Sequence, residues 1–372
     1  IRDRSWAWPY AFLMFPLLIA VNVVMILLNK TNTINADLWN VWLKIFTAVA
    51  VVSITHSVIL AFVIAAVQII LELKSSDAHQ HRIEKLTGIP GVSVTHATLF
   101  FGAILYPIAL VLRKIPGLNR EFDTDMLKDK VGIFAENHVM GFILGCLFGI
   151  LAKYSLAQIL TTGIKAAPAM TLFPVVAKYF MQALSPISEA VSAFMNKKFE
   201  GKTLIVGLDW PILGGCNEIW LAILWSIPFM LIYSMVLPGN EILPFAGLMS
   251  ASLALPAFLV TRGNLLQMSI LCVIGAPVFL WVGTAFAPFM TELAIATGSI
   301  DLQAGELISN SLINGPVFTY SISHLFMFLK GNFMPLIIFA VWLAGFILYY
   351  RDLMREARED AALEAGNAKA GQ

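Results

Sequence analysis

Three consecutive polar residues, Glu136-Asn137-His138, stand near the head of an apolar run, 131–152. A carboxylate accepts hydrogen bonds from a pair of hydroxyls, and an amide and an imidazole each donate and accept. The trio therefore has the chemistry to hold a neutral polyhydroxy molecule. Successive helical residues turn by about 100°, so at least one of the three points away from any single pocket. A helix start at headgroup level is the plain alternative. A second constellation, Gly207-Leu208-Asp209-Trp210-Pro211 followed by Gly214-Gly215-Cys216-Asn217-Glu218, brackets Gly and Pro with two carboxylates. It reads as a hairpin dipping into a membrane, or as a loop in which Asp209 caps a helix entered through Trp210-Pro211. His56 lies within the apolar stretch 45–71, among Ser53, Thr55 and Ser57, and Asn314 precedes Gly315-Pro316. An ionisable group in hydrocarbon costs about 2.5–3.5 kcal/mol on the insertion scale. The candidate solute-binding shell is His56, Glu136, Asn137, His138 and Asp209, then His96, Asn217, Glu218, Asn314 and His324.

Other chemistries find no motif. His79-x-His81 is the one close histidine pair, and it sits in a polar stretch, so no metal site is expected. No nucleophile elbow, HExxH or phosphate loop occurs. Cys146, Cys216 and Cys272 are far apart and read as packing residues. The net charge of +1 gives no electrostatic case for a nucleic-acid partner. No cofactor is implied.

These residues must be positioned by membrane elements. Of the 372 residues 59% are hydrophobic and 13% charged, against about 25% charged in soluble domains. The expected fold is an all-α polytopic membrane protein with about eight to ten transmembrane helices. Runs of about 20 apolar residues predict spans at 8–28, 45–71, 131–152, 155–184, 219–237, 243–260, 265–288 and 333–350. Two shorter runs, 92–112 and 312–329, enter through Gly88-Ile89-Pro90-Gly91 and Asn314-Gly315-Pro316. Such breaks suit re-entrant or discontinuous helices lining a cavity. Residues 1–352 form the transmembrane domain and 353–372 a solvated tail.

Loop charge sets the orientation. Segments 72–86 (Lys74, Arg82, Lys85), 261–264 (Arg262) and the tail from Arg351 are expected inside, with 238–242 and 289–311 outside. Arg2 and Arg4 place the start inside and hence 29–44 outside. Ser93-Val94-Thr95-His96 resembles Ser321-Ile322-Ser323-His324, and Pro9 to Met14 resembles Pro244 to Met249 in the same order. Opposite predicted directions make this an inverted repeat, a frequent transporter plan with binding at the repeat interface.

Several runs together resemble enzyme IIC of the galactitol-type bacterial phosphotransferase system, and more distantly its ascorbate-type relatives. They are Asn35-Ala36-Asp37-Leu38-Trp39-Asn40-Val41-Trp42, Lys114-Ile115-Pro116-Gly117-Leu118-Asn119-Arg120, Gly207-Leu208-Asp209, Pro238-Gly239-Asn240-Glu241-Ile242-Leu243-Pro244-Phe245 and Arg262-Gly263-Asn264-Leu265. The resemblance implies an inner-membrane subunit that takes a sugar alcohol from the periplasm. A cytoplasmic enzyme IIB, itself supplied by IIA, then phosphorylates the solute. It further implies a homodimer with scaffold and elevator-like core domains, no nucleophile in this chain, and a further stretch of about two helices before Ile1. The chain departs from the family pattern at Thr95-His96-Ala97-Thr98, where members carry a Pro-His-Gly-Thr-like run, and at Ala135-Glu136-Asn137, where they carry Gly-Glu-Pro. An ion-coupled secondary transporter, with Glu136, Asp209 or Glu218 carrying the ion, is the alternative.

Overall fold

The computed structural model describes residues 8–37, 40–119, 132–198, 204–243, 246–298, 302, 305–308 and 314–370. Arg2, Arg4, Leu38, Trp39, Arg120, Lys202, Pro244, Phe245 and Asp301 lie outside the described residues. Helices dominate. Following the one-turn α1 (Trp8–Ala11) come α2 (Met14–Leu27), α3 (Val41–Thr55), α4 (Val58–Thr87), α5 (Gly102–Leu112), α6 (Asn137–Leu151) and α7 (Leu156–Lys198). The second half contains α8 (Asn217–Val236), α9 (Ala246–Thr261), α10 (Leu265–Ala296), α11 (Pro316–Ser323) and α12 (Met334–Ala370). Among the described residues, α4, α8, α10 and α12 are long and apolar enough to cross a membrane.

The stretch 45–71 is not one span. His56 takes a left-handed backbone (φ 55°) and closes α3, and the Ser57 hydroxyl then caps α4 by accepting from the Leu60 amide at 3.3 Å. The polar run Ser53–Ser57 lets the chain turn there, and α3 folds back along α4. Nor is 72–86 a loop. No Gly or Pro interrupts Val58–Thr87, so α4 continues until Gly88 (φ 71°) ends it.

The fold-back overturns the expectation that 29–44 and 72–86 lie on opposite sides. Lys74 Nζ donates to the Lys30 carbonyl at 2.9 Å and the Thr31 hydroxyl to Asp77 Oδ1 at 2.9 Å. Residues 30–33 and 74–77 therefore share one level instead of lying on opposite faces.

The fold is also not purely helical. Strands β1 (Thr33–Asn35), β2 (Val92–Val94) and β3 (Ile205–Leu208) make a parallel sheet in the order β1-β3-β2. Short β-branched runs favour this pairing. Gly207 is required at its centre: a Cβ there would lie 2.3 Å from Thr95 Cγ2 and 2.8 Å from Thr33 Cγ2.

Neither 92–112 nor 312–329 forms one long helix. After β2 comes a 3-10 turn, Ala97–Phe101, and then α5; the eight-residue α11 is followed by a 3-10 turn, Leu325–Lys330. At 1.5 Å per residue α5 is about 16 Å and α11 about 12 Å long, too short for a core of about 30 Å. Aromatic packing holds these pieces to α12. Phe318 packs at a tilt against Phe100 (4.5 Å) and Trp342 (4.6 Å), and Trp342 Nε1 donates to the Phe100 carbonyl at 2.9 Å. The tetrapeptides matched in the repeat differ in backbone, since 93–94 is strand and 321–323 is helix. Each closing histidine, His96 and His324, precedes a 3-10 turn.

At the far end of α4, buried Arg82 reaches the Leu259 carbonyl (3.2 Å), Asp352 (3.4 Å) and Glu356, and Arg262 reaches Glu356 at 3.0 Å. Segments 72–86, 261–264 and the tail thus meet at one end of the molecule. Elsewhere α6 and α7 form a close pair. A Cβ on Gly145 would lie 2.7 Å from the Thr162 carbonyl oxygen, the approach that small residues permit between helices in lipid.

Candidate functional site

Parallel pairing aligns the carboxyl ends of the three strands. Asn35 lies beside Gly207 and Val94 beside Leu208, and the ladder continues through Ala36 N to Gly207 O (2.9 Å) and Thr95 N to Leu208 O (3.2 Å). The residues leaving this edge are Asp37 after β1, Thr95 and His96 after β2, and Asp209 after β3. Chemistry-bearing side chains from three distant parts of the chain are thereby gathered, much as open parallel sheets present ligand groups at strand carboxyl ends.

Around this edge is a connected polar layer. Asn35 Oδ1 accepts from the Thr95 hydroxyl (3.0 Å) and the Asp37 amide (3.0 Å), and Asp37 Oδ1 accepts from the Asn40 amide (3.1 Å). Asn40 Nδ2 donates to Glu72 Oε2 (3.0 Å) and to the Thr95 carbonyl; Gln68 donates to Glu72 Oε1 (3.0 Å). Lys44, on the first turn of α3, pairs with Glu72, and neither side chain is exposed. Among the described residues, no hydrogen-bond partner reaches Asn35 Nδ2, Asn40 Oδ1 or Gln68 Oε1.

The layer continues along β2. His96 Nδ1 and the Thr98 hydroxyl are 2.7 Å apart, and His96 Nε2 lies 3.9 Å from Asp209 Oδ1. The Thr98 hydroxyl donates to Asn314 Oδ1 at 2.9 Å, as does Ser252 at 2.7 Å, so the start of α11 closes the far side. Asp37, Glu72 and Asp209 all act electrostatically on the Lys44 ammonium. Three carboxylates around one cation leave the layer net negative.

Of the residues singled out from the sequence, His96, Asp209 and Asn314 fall in this layer. His324 lies at the other end of α11, stacked on Tyr320 (4.6 Å) and edge-on to Phe286 (5.3 Å). His56 is exposed at the tip of the α3–α4 turn. Glu136 and Asn137, half-buried, and His138, exposed, begin α6; exposed Asn217 and half-buried Glu218 begin α8, on which α6 packs. The sequence reading missed Asn35, Asp37, Asn40, Lys44, Gln68 and Glu72. The available signal was a helical polar stripe, Gln68, Glu72, Ser75, Ser76 and His79, recurring every three or four residues on α4.

Comparison with known proteins agrees with the resemblance. The EIIC-GAT family, described as the PTS system sugar-specific permease component, matches residues 4–303. The PTS system galactitol-specific EIIC component of Escherichia coli (strain K12) is 30% identical over 352 residues, covering 93% of this chain and 77% of that protein. The same component of Escherichia coli O157:H7 matches to the same extent. With helices of spanning length, a buried polar layer and a match over most of its length, the chain belongs to the EIIC-GAT family of phosphotransferase-system permease components.

Proposed function

We propose that the polar layer binds a neutral polyol, a hexitol of the galactitol kind, and that the chain presents it to a cytoplasmic enzyme IIB for phosphorylation. The observation that carries this reading is the gathering of Asp37, Glu72 and Asp209 with Lys44, His96 and three asparagines at the aligned strand ends. A polyol supplies many hydroxyls and no charge. Its hydroxyl protons suit carboxylates, and its oxygens suit the Lys44 ammonium and the Asn35 amide. A net negative layer disfavours an anionic solute such as ascorbate. An unmade buried hydrogen bond costs about 1–3 kcal/mol, so solute hydroxyls that meet Asn35 Nδ2, Asn40 Oδ1 and Gln68 Oε1 gain affinity from it.

The layer sits where α4 changes character. Glu72 is midway along the helix, and the lipid-facing side chains give way from Ile70 to Lys74. We read the end bearing Lys74, Arg82, Arg262 and the tail as cytoplasmic, by the excess of basic residues. The solute then stands close to the aqueous side from which IIB acts, with IIA upstream. His56 and His324 belong to the approach from the other face. Glu136, Asn137, His138, Asn217 and Glu218 line the path on neighbouring helices. The working assembly is a homodimer with a fixed scaffold and an elevator-like core.

The energy source tests this. In inner-membrane vesicles carrying the chain with its IIA and IIB proteins and the soluble phosphocarriers that pass phosphate from phosphoenolpyruvate to IIA, galactitol uptake requires phosphoenolpyruvate and persists with an uncoupler. Uptake that ignores phosphoenolpyruvate and stops with the uncoupler supports ion-coupled transport instead.

A further inference from the structure

We propose that the groove between α2 and α4 is a binding site for an anionic phospholipid. The groove has a volume of about 570 Å³ and is walled by apolar side chains, among them Val21, Val24, Leu28 and Ile70, with Lys30 and Lys74 at one end. It therefore pairs a channel shaped for hydrocarbon with a cationic mouth.

The mouth lies where a headgroup would be. On α2 the exposed apolar face ends at Leu27 and Leu28, and Lys30 follows. On α4 it ends at Ile70, followed by Lys74; on α12 it ends at Leu348, followed by exposed Arg351. Two contacts set these boundaries at one level. Lys74 Nζ lies 2.9 Å from the Lys30 carbonyl and 5.9 Å from the centre of the Tyr350 ring.

Charge selects the occupant. Asp77 Oδ2 lies 3.5 Å from Lys74 Nζ, while Asp77 Oδ1 accepts from Thr31, Asn32 and Thr33. Lys30 and Lys74 together outweigh that carboxylate, leaving net positive charge for a phosphate. Basic residues at an apolar boundary attract anionic headgroups. A zwitterionic lipid fills the same channel without that attraction. The site is separate from the polar layer and does not depend on which solute is carried.

Native mass spectrometry of the purified chain, titrated with phosphatidylglycerol or phosphatidylcholine of equal chain length, tests the proposal. Phosphatidylglycerol is expected to bind at least fivefold more tightly, with about one tight site per chain. Lys30→Glu should abolish the preference by charge. Val24→Trp should abolish tight binding by filling the channel while leaving both lysines in place. Inorganic phosphate in excess should not displace the lipid. Equal binding of the two lipids, displacement by phosphate alone, or a preference that survives in folded Val24→Trp protein overturns the proposal. If Lys30→Glu fails to fold, the wild-type comparison and Val24→Trp still decide it.

Discussion

Lys44 and Glu72 meet across the α3–α4 turn, and neither side chain is exposed. One stands on the first turn of α3 and the other midway along α4, so their contact records the fold-back of the chain at His56. Gln68 and Asn40 occupy the two Glu72 oxygens. The pair is therefore both a latch on the helical hairpin and one wall of the polar layer.

Breaking one side of this pair strands a charge inside the protein, which typically costs about 3–5 kcal/mol. Lys44→Met alone and Glu72→Leu alone should each lower the melting temperature of the detergent-purified protein markedly. The double variant should recover part of the loss, because well-packed apolar groups replace a buried pair at little cost. Equal and additive losses would show that the two side chains are not coupled.

Gly207 holds the strand ends together. A Cβ at Gly207 would overlap the Thr95 and Thr33 methyl groups on the two neighbouring strands, so Gly207→Ala displaces Thr95 and is expected to disturb the strand end that leads into His96. Solute affinity should fall at least tenfold, a change of about 1.4 kcal/mol, with a smaller change in helix content by circular dichroism. Unaltered affinity would mean that the sheet does not position the site.

How much of this was legible beforehand depends on whether the signal was local. Composition made the membrane class plain, and the Gly-Pro breaks at 88–91 and 314–316 marked two discontinuous segments. The turn at His56 had its own polar signal in Ser53–Ser57, but the apolar residues on both sides concealed it. The polar second half of α4 resembled a loop because its buried stripe faces protein, not lipid. The layer itself depends on contacts such as Asn40 with Thr95 and Thr98 with Asn314. Their partners are 55 and 216 residues apart, beyond any periodicity.

Side-specific labelling tests the arrangement of the elements. With Cys146, Cys216 and Cys272 replaced by serine or alanine, His56→Cys should react with a membrane-impermeant maleimide from the periplasmic face. Lys330, which donates to the Ile54 carbonyl at 3.2 Å, should behave likewise as Lys330→Cys. Arg262→Cys and Arg355→Cys should react only after permeabilisation. Labelling of His56→Cys and Arg262→Cys from one face would contradict the orientation.

Binding of the solute in the polar layer is measurable by calorimetric titration of galactitol into the purified protein. Asp209→Asn keeps the side-chain shape and removes a half-buried carboxylate. It should weaken binding at least tenfold, since hydrogen bonds to charged groups contribute about 1.5–3 kcal/mol, while His56→Ala at the exposed turn leaves the affinity within twofold. An Asp209→Asn protein that melts like the wild type and binds galactitol with unchanged affinity would mean that the solute binds elsewhere.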